Sequence, residues 1–68
     1  MKMTDIKREF KRDNAEWIKK HWDDPTMINL EFTYHIDHLN KTGLITNYQA
    51  FRAGNLVKRE NGKTRFCR

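Results

Sequence analysis

One segment of this sequence, residues 25–43, constrains the fold more than any other. Asp24 can cap a helix, and Pro25 suits the first helical position because its missing N–H costs no hydrogen bond there. Gly43 is typical of the residue that follows a helix. Two apolar stripes recur at helical spacing between these signals: Ile28, Phe32, Ile36 and Leu39 form one, and Met27, Leu30, Tyr34 and His38 form the other. The sequence therefore predicts a central helix that packs against other elements on both sides.

The same segment also has the periodicity of a strand. Apolar residues alternate with polar neighbours, as in a half-buried strand, at Ile28, Leu30, Phe32, Tyr34 and Ile36. The whole segment is long for a strand, however, and it is bracketed by a cap, a proline and a glycine. These brackets favour the helix, and residues 27–36 are the most ambiguous part of the sequence.

The residues before this segment predict a second long helix, over residues 4–22. Its apolar stripe contains Met3, Ile6, Phe10, Trp17 and His21. A break near Asp13 is an alternative, because residues 13–16 fit a second helix cap. Ile18 and Trp22 lie to one side of the stripe. They are either covered by the central helix or exposed as an apolar patch that anchors a protein partner or a second copy.

The rest of the chain predicts a short helix followed by a β-hairpin. Thr46 and Gln49 fit a capping box that begins a helix over residues 47–53. Asn61-Gly62 is the favoured pair for a two-residue type I′ turn, in which both residues need positive φ. The turn fixes the register and predicts the following pairs: Glu60 with Lys63, Arg59 with Thr64, Lys58 with Arg65, Val57 with Phe66, and Leu56 with Cys67.

These elements predict a mainly α fold with a small β-hairpin (α+β), built from two longer helices, one short helix and a C-terminal basic hairpin. A chain of 68 residues makes one domain. No apolar run is long enough to span a membrane, and the charged N-terminus lacks the features of a secretory signal. Cys67 is the only cysteine and cannot form an intrachain disulfide, which favours the reducing cytoplasm.

Charge is distributed unevenly along the chain. Residues 1–41 contain eight basic and eight acidic residues, whereas residues 42–68 contain six basic residues and one acidic residue. The whole formal net charge of +5 therefore lies in the last 27 residues. Such a patch attracts an anionic partner, and we expect either a nucleic acid, DNA rather than RNA, or an acidic protein surface. Basic residues on a hairpin edge also guard against aggregation, which is the alternative without a partner.

Residues 25–68 resemble a helix-turn-helix with a wing in the order of their elements, which is helix, cap, short helix and basic hairpin. The resemblance is one of outline, since the short helix has barely two turns where a winged helix has a separate recognition helix. It implies that one group of side chains would face a groove of the nucleic acid: Asn47, Tyr48, Gln49 and Arg52. It also implies that the hairpin would contact phosphates through Lys58, Arg59, Lys63, Arg65 and Arg68.

These observations predict a small non-enzymatic regulatory or accessory protein that binds nucleic acid, as a monomer or a homodimer. The alternative is a protein-binding inhibitor or adaptor, of the kind that phages and mobile elements encode, which docks its hairpin on an acidic protein with Trp22 as an anchor. No enzyme is expected, because the sequence has no Gly-rich phosphate loop and no nucleophile or metalloprotease motif. No cofactor or metal is expected either, since His35 and His38 are three residues apart but have no third ligand at a recognisable spacing.

Overall fold

The computed structural model describes residues 2–67, which form four helices and one β-hairpin. In chain order, the elements are α1 (Met3–Asp13), α2 (Ala15–Lys20), α3 (Pro25–Lys41), α4 (Asn47–Arg52), β1 (Val57–Glu60) and β2 (Lys63–Phe66). The two strands pair antiparallel. The predicted fold class, mainly α with a C-terminal hairpin, is thus confirmed. The first predicted helix is divided in two, so the alternative of a break near Asp13 is confirmed and the continuous helix over residues 4–22 is wrong.

Helix α3 has the ends that the sequence predicts. At its start, Asp24 Oδ1 accepts the backbone N–H of Met27 at 3.2 Å. At its end, the N–H of Leu44 donates to the carbonyl of Leu39 at 3.0 Å, and the N–H of Gly43 donates to the carbonyl three residues before it. With Gly43 at a φ of 80°, these two bonds form a Schellman motif. The helical interpretation of the ambiguous segment is therefore confirmed.

The hydrophobic core lies against one side of α3. The buried side chains of this helix are those of the first predicted stripe, Ile28, Phe32, Ile36 and Leu39. The prediction that α3 packs on both sides is wrong, because Met27, Leu30 and Tyr34 of the second stripe are exposed, as is His38. A chain of 68 residues has too few elements to cover a second side of its longest helix.

A break at Asn14 separates α1 from α2 and changes which side chains reach the core. Asn14 has a φ of −118° and a ψ of 21°, which is not helical geometry, and its Nδ2 donates to the carbonyl of Phe10 at 3.0 Å. As a result, α2 does not continue the apolar stripe of α1. Ile18, which lies to one side of a continuous helix, is buried with 3% exposure, whereas Trp17 is only half-buried.

One side chain of α3, that of Asn29, holds the base of the hairpin. Its Oδ1 accepts two backbone N–H groups, from Leu56 at 3.0 Å and from Val57 at 2.9 Å. Its Nδ2 donates to the carbonyl of Val57 at 3.0 Å. These three hydrogen bonds join parts of the chain that are 27 or 28 residues apart, beside the fully buried side chains of Leu56 and Val57.

The hairpin has the predicted turn and register. Asn61 and Gly62 have φ values of 53° and 77°, the positive values that a type I′ turn requires. The N–H of Cys67 donates to the carbonyl of Leu56 at 2.9 Å, which extends the ladder towards the core. The paired residues are Val57 with Phe66, Lys58 with Arg65, Arg59 with Thr64, and Glu60 with Lys63.

Candidate nucleic-acid interface

The register divides the basic residues of the hairpin between its two faces. Lys58, Lys63 and Arg65 share one face with Glu60. On this face, Glu60 forms ion pairs with Lys58 Nζ at 3.0 Å and with Arg65 Nη1 at 3.7 Å. All three side chains in these pairs are well exposed. Such surface pairs are weak, so an anionic partner can compete with Glu60 for both cations.

Two hairpin cations, Arg59 and Lys63, have no ion pair within residues 2–67. Both are exposed; Arg59 lies on the opposite face beside Thr64, and Lys63 directly follows the turn. Their positive charge is therefore uncompensated at the end of the hairpin that lies away from the anchored base. Arg68, another basic residue of the predicted site, lies outside the described residues.

Helix α4 begins with the capping box that the sequence predicts. The N–H of Gln49 donates to Thr46 Oγ1 at 3.1 Å, and the N–H of Thr46 donates to Gln49 Oε1 at 3.0 Å. In addition, Asn47 Oδ1 accepts a hydrogen bond from Asn40 Nδ2 of α3 at 2.8 Å. Asn47 and Gln49 were both predicted to contact nucleic acid. Their side chains make these bonds within the protein, where they fix the position of α4.

The outer side of α4 carries Tyr48, Phe51 and Arg52. Tyr48 is 68% exposed and Phe51 is 86% exposed, and the guanidinium carbon of Arg52 lies 5.6 Å from the centre of the Tyr48 ring. Exposed rings beside a cation suit stacking on bases. Sequence reasoning identified Tyr48 and Arg52 but missed Phe51. In the structure Ala50 and Ala53 pack against the core and leave Phe51 pointing outwards, and a helix of six residues gives no apolar pattern from which this could be predicted.

Helix α4 and the hairpin are attached at different levels of α3. Asn40 holds the start of α4, whereas Asn29 holds the base of the hairpin. Eleven residues of helix separate these two anchors, which corresponds to about 16 Å along the helix axis. This distance equals the length of about five base pairs of B-DNA. A short nucleic-acid segment is therefore long enough to reach both elements.

The two residues predicted as a protein interface differ in their accessibility. Ile18 belongs to the core, so the predicted alternative of burial is confirmed and that of an exposed patch is wrong; the break at Asn14 turns its side chain inwards. Trp22 is half-buried, and its ring lies 5.0 Å from the ring of Phe66 in β2. Of these two predicted interface residues, Trp22 is the one whose side chain a partner can reach.

The histidines of α3 do not converge on a common site. His35 packs against the ring of Phe10, with 5.3 Å between the ring centres, whereas His38 is exposed. Within residues 2–67, no group of three or more His, Cys, Asp or Glu residues is placed to hold a metal ion. The described helices also include none that combines the length and the apolar character needed to cross a membrane.

Comparison with known proteins gives no match for this chain. No protein-family model matches it, and no curated protein or solved structure is significantly similar to it. The functional interpretation therefore depends on the charges, exposed side chains and distances given above.

Proposed function

We propose that this protein is a small non-enzymatic regulatory or accessory protein that binds nucleic acid through the hairpin and α4. The observation that carries this proposal is the uncompensated positive charge at the turn end of the hairpin, at Arg59 and Lys63. The reducing cytoplasm is the compartment in which we expect it to act, because its single cysteine, Cys67, then stays a thiol.

Phosphate contacts would supply most of the affinity. Each Lys or Arg that neutralises a phosphate releases a condensed counterion, and this release favours binding irrespective of base sequence. Arg59 and Lys63 need give up no partner to do so. Lys58 and Arg65 would exchange a weak surface pair with Glu60 for a contact with the higher charge density of a nucleic-acid backbone.

Helix α4 would contact the bases or their edges. Phe51 and Tyr48 present two exposed rings, and an aromatic ring can stack on an unpaired base or touch the methyl group of thymine in a duplex. Arg52 lies beside them and supplies a further positive charge. We expect DNA to be preferred over RNA, and the form of DNA is decided by the experiment below.

Fluorescence anisotropy with labelled probes tests the proposal. A duplex DNA, a single-stranded DNA and a single-stranded RNA of the same sequence are titrated with the protein at about 50 and 200 mM salt. With about five phosphate contacts, the affinity should fall by two to three decades, roughly, over this range. If the single strand binds more tightly than the duplex, the exposed rings of α4 stack on unpaired bases. Absence of binding to all three probes at the lower salt would contradict the proposal.

A second candidate function is a protein-binding inhibitor or adaptor that docks its hairpin on an acidic protein. The high exposure of Phe51 favours it, because large aromatic side chains are frequent anchors of protein interfaces. The two functions differ in salt dependence. A protein complex anchored by Phe51 would lose affinity by about 2 kcal/mol on Phe51→Ala, and it would depend on salt less steeply than a complex held by phosphates.

A further inference from the structure

An open groove lies between α2 and β2, away from the turn of the hairpin. Its volume is about 510 Å³, within the range of ligand-binding clefts. Side chains from α1, α2, the turn after α2, and β2 line it: Lys11, Ala15, Ile18, Lys19, Trp22 and Phe66. We call it the α2–β2 groove. The sequence does not reveal it, because Phe66 reaches Trp22 only once the hairpin has docked.

The apolar part of the α2–β2 groove is fixed by the core. Ile18 is buried in that core. Trp22 and Phe66 form the aromatic wall, with 5.0 Å between their ring centres, and both remain partly accessible. An apolar side chain that enters the groove would therefore find surfaces that are already in place.

Among the residues that the structure describes, the charged part of the α2–β2 groove consists of two lysines and includes no carboxylate. Lys11 is half-buried, and its Nζ lies 4.6 Å from the centre of the Phe66 ring. Lys19 is exposed on α2. Neither has an ion pair within residues 2–67. A cation that lies over an aromatic ring and has no counterion among the described residues favours an anionic group on the ligand, directly beside the apolar wall.

We propose that the α2–β2 groove binds an acidic amphipathic peptide segment of a partner protein. One or two large apolar side chains of the segment pack on Trp22 and Phe66, and flanking Asp or Glu residues pair with Lys11 and Lys19. Helix α2 lines the groove from Ala15 to Lys19, which is about 6 Å along the helix axis, and Trp22 continues the wall in the turn that follows, so a short segment is enough to fill it.

Charge and shape together favour this occupant. A basic or neutral peptide would leave both lysines without a counterion, and a nucleic acid would place charged phosphates against an apolar wall. The groove residues are distinct from Arg59 and Lys63. The proposal therefore stands or falls independently of nucleic-acid binding at the hairpin.

Selection of a random twelve-residue peptide library, displayed on phage and applied to the immobilised full-length protein, tests this proposal. We expect the enriched peptides to combine one or two large apolar residues with Asp or Glu. A synthetic, labelled copy of an enriched peptide then provides the probe for anisotropy. In a Trp17→Phe variant, Trp22 is the only tryptophan, and its emission should shift to shorter wavelength when the peptide covers it.

A pair of charge reversals on one helix gives the matched control. Lys19→Glu should lower the affinity for the peptide tenfold or more. Lys20→Glu makes the same charge change at an exposed neighbour in α2 that does not line the groove, and it should change affinity by less than threefold. Circular dichroism confirms that both variants are folded.

Three results would overturn the proposal. The first is a selection that yields no peptides, or peptides without the acidic and apolar pattern. The second is an equal loss of affinity in the two charge reversals, which would show attraction by net charge alone. The third is an unchanged emission of Trp22 at saturating peptide, which would place the peptide elsewhere.

Discussion

Asn29 lies in the second turn of α3, and its side chain joins this helix to the base of the hairpin by hydrogen bonds. Its amide makes three hydrogen bonds with the backbone of Leu56 and Val57, at 2.9–3.0 Å. A buried polar group that loses its partner costs about 1–3 kcal/mol. The hydrogen bonds of Asn29 therefore fix the base of the hairpin on α3. They also fix the position of Arg59 and Lys63, which the hairpin carries.

We expect Asn29→Ala to lower the free energy of unfolding by about 2–4 kcal/mol, because the N–H groups of Leu56 and Val57 lose their acceptor. Urea denaturation followed by circular dichroism measures this loss. Thr33→Ala is the matched control on the same helix. Thr33 Oγ1 donates to the carbonyl of Asn29 at 2.9 Å from an exposed position, and its removal should cost less than about 1 kcal/mol. Similar losses in the two variants would contradict the role of Asn29.

The role of Asn29 could not be predicted from the sequence, because its partners follow 27 and 28 residues later and no local pattern connects them. The outward position of Phe51 was missed for a different reason. A helix of six residues is too short for its apolar pattern to identify the side that faces the core. The burial of Ile18 depends on the backbone angles of Asn14, which only the folded chain defines.

At the scale of elements, the sequence predicts correctly those features whose hydrogen bonds close within a few residues. The cap of α3 by Asp24, the capping box of α4 and the turn at Asn61-Gly62 are all of this kind. The side of α3 that stays exposed was predicted wrongly. That property depends on how many other elements are available to cover Leu30 and Tyr34, and a local pattern does not contain this information.

We expect Gly62→Ala to destabilise the hairpin by about 1 kcal/mol, because an alanine at a φ of 77° is strained. An added Cβ meets no atom within 4 Å, so the effect comes from the backbone alone. Amide hydrogen exchange in β1 and β2 should be about fivefold faster. Gly62→Asn is the control, since asparagine tolerates this conformation better than alanine does. Equal acceleration by both substitutions would argue against a backbone origin.

At the scale of the whole molecule, net positive charge is confined to one part of the chain, residues 42–68. Residues 1–41 have no net charge, and two of their exposed ion pairs, Arg8 with Asp5 and Lys41 with Asp37, compensate charge locally. The C-terminal part has one carboxylate, Glu60, among six basic residues. A nucleic acid, whose negative charge extends along its whole backbone, should therefore approach α4 and the hairpin in preference to α1 and α2.

The most direct test of this claim compares two double variants that remove the same charge from different parts of the molecule. Arg59→Ala with Lys63→Ala removes two cations of the hairpin that have no ion pair within residues 2–67. Lys2→Ala with Lys20→Ala removes two exposed cations of the helical part, which have no ion pair within the described residues. The measurement is the slope of log affinity for labelled duplex DNA against log salt concentration.

The proposed function predicts that the hairpin variant loses about two units of slope, roughly one for each phosphate contact, while the helical variant keeps the slope of the unaltered protein. The same loss of slope in both variants would show that DNA binding depends only on the net charge of the protein. That result would contradict a binding site on the hairpin.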